Sequence, residues 1–72
     1  MKAIKINRWV EIYHDEIEGL WAVGIADSMG GDHFIIAHEA ENAAIKSARR
    51  IAKVSGISQI LLRNENGEEK MV

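Results

Sequence analysis

Alanine recurs every four positions at Ala40, Ala44, Ala48 and Ala52. With Ile45 and Ile51 these residues form one arc of a helical wheel. Asn42, Lys46, Arg49, Arg50 and Lys53 form the opposite arc. Apolar residues at this period require an amphipathic helix, read over 38–55, that buries one stripe against another element. The alanine ridge predicts close approach to a sheet, with Ile45 and Ile51 filling the flanks. Glu39 and Glu41 near the start and bases near the end suit the helix dipole. Gly56 provides the stop, whereas no Ser, Thr, Asp or Asn stands at the obvious N-cap.

The segments around the helix have period two. Ile4, Ile6, Val10 and Ile12 share one parity, predicting a strand over 3–14. Trp9 and Tyr13 lie on the other, mostly polar parity with Lys5, Asn7 and Glu11. A turn at 15–19 leads to a second strand over 20–26, with Trp21, Val23 and Ile25 on one face and Ala22 and Gly24 on the other. A loop over 27–32 precedes a short third strand at Phe34, Ile35 and Ile36. Ile57, Ile60, Leu61 and Leu62 predict a fourth, and Asn66-Gly67 signals a hairpin to a fifth at Lys70-Met71-Val72. The expected fold is α+β, with the order β-β-β-α-β and a terminal strand. One helix covers one face of a three- to five-stranded antiparallel sheet.

Seventy-two residues form a single domain over 1–72. A chain of this size buries only about 60% of its unfolded surface, so disulfides, metals or association commonly assist. It has no cysteine, which removes disulfides and thiolate metal sites and favours association, as a homodimer or with a partner, through the sheet face bearing Trp9 and Tyr13. The N-terminal residues lack a signal-peptide pattern and no apolar run approaches a membrane span, so a cytoplasmic protein without membrane contact is expected.

Charge is sorted into blocks. Residues 1–10 carry three positive charges, and residues 11–42 carry eight acids with no Lys or Arg. Residues 43–63 then carry five positive charges and no acid. Like charges three and four apart at Lys46, Arg49, Arg50 and Lys53 each cost about 0.2–0.5 kcal/mol. The basic arc reads either as an anion-binding face or as a solvated face neutralised by acids from the 15–18 turn. Trp9 and Tyr13 read as the apolar centre of a protein interface, as base-stacking groups or as plain sheet packing.

No pattern specifies catalysis, a metal or a cofactor. His14, His33 and His38 lack the close spacing of metal ligands and read as surface or capping residues. Asp15, Glu16, Glu18, Asp27 and Asp32 read as solvated turn acids, because general acid–base work needs a pocket that separates two pKa values. Ser28-Met29-Gly30-Gly31 lacks the Lys-Ser/Thr of a phosphate loop and precedes a strand. A non-enzymatic chain is expected.

Trp21-Ala22-Val23 after a glycine turn, the helix Ala44-Ile45-Lys46-Ser47-Ala48-Arg49-Arg50-Ile51-Ala52-Lys53, and Gly56 followed by a strand and Arg63-Asn64-Glu65-Asn66-Gly67 resemble the domain-of-unknown-function family numbered 2188. That family comprises small bacterial and phage proteins, and the resemblance spans residues 9–70. Ala40 stands where the family usually has Thr, and the loop before the third strand is longer and more acidic here. The family carries no assigned activity, so the resemblance implies no catalytic residue. Small phage-encoded anti-CRISPR proteins are similar in size and layout. Together these features imply a non-catalytic protein-binding module, an accessory or inhibitor of a phage or mobile element that binds a host protein. The residues expected to meet a partner are Trp9, Tyr13, Lys46, Arg49, Arg50 and Lys53. The alternative is weak nucleic-acid binding through the basic helix face.

Overall fold

The computed structural model describes residues 7–72. Strands β1 (Arg8–Asp15), β2 (Leu20–Asp27) and β3 (Asp32–His38) precede helix α1 (Glu41–Ser55), which is followed by β4 (Ile60–Arg63) and β5 (Glu69–Met71). The α+β architecture matches the expectation from sequence. Residues 3–6 of the expected first strand lie outside the described residues.

The sheet order is β3-β2-β1-β4-β5. Three strand pairs are antiparallel, but β1 and β4 are parallel, so the sheet is mixed rather than purely antiparallel. The helix explains this. Two antiparallel pairings leave β3 running in the direction of β1. A helical crossover from β3 then delivers β4 in that same direction on the far side of β1. Helix α1 crosses β1 and β2 to make the connection.

Three of the four ridge alanines are buried as expected: Ala44, Ala48 and Ala52 face the sheet, with Ile45 and Ile51 packed at the flanks, whereas Ala40 is exposed ahead of the helix. Opposite them stand Val10 and Ile12 of β1, Trp21 and Val23 of β2, and Ile60 and Leu62 of β4. No polar or charged residue is buried among the described residues. Alternation along β1 and β2 therefore assigns one parity to this core and leaves the other on the open face of the sheet.

The helix begins three residues later than its periodicity suggested. Ala40 has an extended backbone and no side-chain cap, and residues 32–38 form a seven-residue strand instead of a three-residue one. Hydrogen bonds to the eight-residue β2 recruit Asp32, His33, Ala37 and His38 into the ladder, overriding their weak strand propensity. At the other end, Gly56 takes φ 68° and donates to the Lys53 carbonyl, while Ile57 donates to the Ala52 carbonyl at 2.8 Å. This double closure is a Schellman motif, and Ile57 joins Ala52 in the core.

Candidate functional site

On the open face, the large side chains of β1 stand beside the small ones of β2. Trp9 pairs with Ala26, Glu11 with Gly24 and Tyr13 with Ala22. Trp9, Glu11 and Tyr13 are half-buried, whereas Ala22, Gly24 and Ala26 are buried. β2 thus forms a low floor between the side chains of β1 and those of β3, where Phe34 pairs with Gly24. Beyond β1 the surface continues through Leu61, and Arg63 bonds Glu69 at 3.0 Å. No other described element covers this face.

The missing side chain at Gly24 lets β2 approach the β3 backbone closely. A Cβ there would stand 2.6 Å from the His33 carbonyl oxygen, so only glycine permits this approach of β2 to β3 beside the bulge at Val23/Gly24. Glu11, paired with Gly24, and Asp32, paired with Ala26, stand on the same face on either side of β2. The two carboxyls come close enough to interact, and a hydrogen bond between them forms only when one carries a proton. Burial, followed by this bond and the charge of Asp32, pushes the Glu11 pKa up to about 7. Arg63 opposes the rise and Glu69 adds to it. The Tyr13 hydroxyl is also shifted upward, first by burial and then by Asp32, Glu11 and Asp15. The sequence reading placed Asp32 among solvated turn acids. Its proximity to Glu11 arises from strand order, which no local pattern signals.

The residues expected to meet a partner divide between two opposite surfaces. Trp9 and Tyr13 lie on the open sheet face. Lys46, Arg49, Arg50 and Lys53 are exposed on the outer side of α1, which packs on the other face of the sheet. No acid neutralises these four in an ion pair, because Arg63–Glu69 is the sole salt bridge among the described residues. Of the acids in the 15–19 turn, Asp15 is engaged locally. Asp15 Oδ1 accepts from the amides of Ile17 and Glu18. Asp27 likewise accepts from the amides of Met29 and Gly31, closing its own loop.

The histidines do not converge. His38 Nε2 lies 2.6 Å from Ser47 Oγ, tying β3 to the helix. The His14 ring packs against Trp21 with ring centroids 4.9 Å apart, and its buried Nδ1 has no hydrogen-bond partner. No group of three or more His, Asp or Glu side chains is arranged to hold a metal among the described residues. A shallow depression of about 270 Å³ lies between Trp21, Glu41 and the Asn64-Glu65-Asn66 turn. It gathers carboxylates and amides, without a nucleophile beside a base. No helix among the described residues is long and apolar enough to cross a membrane. Compared with known proteins, the chain matches no family model, no curated protein and no solved structure.

Proposed function

We propose that this chain is a non-catalytic protein-binding module whose docking surface is the open face of the sheet. The observation that carries this reading is the sheet face that no other described element covers, where half-buried Trp9 and Tyr13 and exposed Phe34 border the small residues Ala22, Gly24 and Ala26. Aromatic side chains that border a low apolar floor suit burial by a complementary protein surface. The Glu11–Asp32 pair at the centre has no cationic partner within salt-bridge distance among the described residues. The matching partner therefore presents an apolar contact with a Lys or Arg at its middle. A phage or mobile-element inhibitor of a host protein, in line with the likeness in size and layout to anti-CRISPR proteins, is a special case of this reading.

Affinity capture with nuclease treatment tests the assignment. A nuclease-resistant protein partner is expected, lost with Trp9→Ala plus Tyr13→Ala and retained with Lys46→Glu plus Arg50→Glu. The nucleic-acid alternative draws support from the unpaired basic arc and makes the opposite forecast. A ligand neutralised by four bases loses affinity with a log-salt slope of about −3 to −4. Recovery of nucleic acid alone, abolished by the two helix substitutions, would overturn the proposal.

A further inference from the structure

The two edges of the sheet differ. β5 is three residues long and carries Glu69 and Lys70, so it offers little to another strand. Short, charged edges of this kind resist unwanted pairing. β3 is seven residues long, and at its centre Phe34, Ile35 and Ile36 are 57%, 42% and 40% exposed. It contains no lysine, arginine or proline. Its one edge-blunting feature is the bulge opposite Val23/Gly24, where Ile35 is the extra residue. Among the described residues, its backbone bonds to β2 alone, leaving the outward N–H and C=O groups without a protein partner.

We infer that β3 pairs antiparallel with β3 of a second copy, joining two five-stranded sheets into one of ten strands. Unpaired backbone groups along an edge select an extended strand as the occupant. Charge layout and symmetry select this chain's own strand. The only acid of β3, Asp32, stands at its start, while His33 lies beside it and His38 ends it. Antiparallel pairing sets the two Asp32 residues at opposite ends of the junction and brings apolar centre to apolar centre. Parallel pairing would set acid beside acid. A two-fold contact also uses both edges at once and closes at two copies, whereas a head-to-tail contact would propagate. The core gives association a purpose. Five of its twelve buried apolar residues are alanines, so a single copy removes little apolar area per residue from water. The two-fold axis stands normal to the sheet, so both helices lie on one side and both Trp9/Tyr13 faces on the other.

Sedimentation equilibrium of the full chain over a concentration series tests this, with far-UV circular dichroism as the check on folding. A dimer is expected, shifted at least tenfold toward monomer by Ile35→Lys and, separately, by Phe34→Lys. Both positions are exposed, so these lysines leave the core untouched. Trp9→Ala should leave the mass unchanged. The second measurement is independent of any change in β3. The chain has no cysteine, so Met71→Cys on β5 accepts a single spin label. Two β5 strands in a ten-stranded sheet lie nine spacings apart, roughly 40 Å at about 4.8 Å per strand. A strict monomer, open-ended aggregates, a dimer that survives both lysine variants or a label distance far below that value would each overturn the proposal. So would a dimer dissolved by Trp9→Ala, which would place the contact on the open face instead.

Discussion

At the scale of single residues, Gly24 and Glu11 set the character of the open face. Gly24 brings β2 close to the β3 backbone, and Glu11 interacts with Asp32 from across β2. The fold holds Glu11 protonated more strongly than the unfolded chain does, with its pKa moved from 4.5 to about 7. A raised carboxyl pKa stabilises the fold fully below pH 4.5, and that contribution is lost as pH rises through about 7. Asp32 of β3, Arg63 of β4 and Glu69 of β5 are the charged groups that influence it. Thermal unfolding should therefore show a Tm that falls by a few degrees between pH 5 and pH 8. Glu11→Gln should flatten that dependence, because its amide donates to the Asp32 carboxylate at either pH. An unchanged pH profile in Glu11→Gln would remove this residue as the cause.

At the scale of elements, the helix–sheet seam is set by side-chain size. Ala48 is fully buried between Ala44 and Ala52, against the strands that carry Val10, Ile12 and Val23. Leucine there adds volume to a packed seam and should destabilise the fold by about 1–3 kcal/mol. Urea unfolding of Ala48→Leu measures this directly, and a fully tolerated substitution would mean that the helix packs through another face. The helix termini differ in the same physical sense. Gly56 closes the last turn with two backbone bonds, whereas Ala40 supplies no side-chain acceptor at the first. The start of α1 is consequently where fraying is expected.

At the scale of the whole molecule, charge and apolar surface are segregated. The basic arc of α1 and the Glu11–Asp32 pair lie on opposite sides of the sheet, so no one partner surface covers both. The apolar edge at β3 lies away from the basic arc and begins beside that pair, at Asp32. Dimerisation through that edge links folding to protein concentration. An association that exists only in the folded state raises the unfolding midpoint by mass action, by about 1.4 kcal/mol for each tenfold excess over the dissociation constant. The urea midpoint of the wild type should rise with concentration, and that of Ile35→Lys should not. A concentration-independent wild-type midpoint would count against the shared edge.

The sequence by itself determined the elements whose physics is local. The four-residue spacing of Ala44, Ala48 and Ala52 specified the buried face of α1. The parity of Val10 and Ile12 specified the core face of β1, and Gly56 specified where the helix ends. Period and turn chemistry act over a few residues, so they can be read along the chain. Tertiary structure decided what depends on neighbours distant in sequence. The length of β3 follows from hydrogen bonds to β2, and the parallel placement of β4 beside β1 follows from the helical crossover. The Glu11–Asp32 pair joins residues twenty-one positions apart because the strand order sets β1 and β3 on either side of β2. The separation of Trp9 and Tyr13 from the basic arc was equally hidden. Each group shows its own face locally, but only packing α1 onto the sheet fixes which faces point the same way.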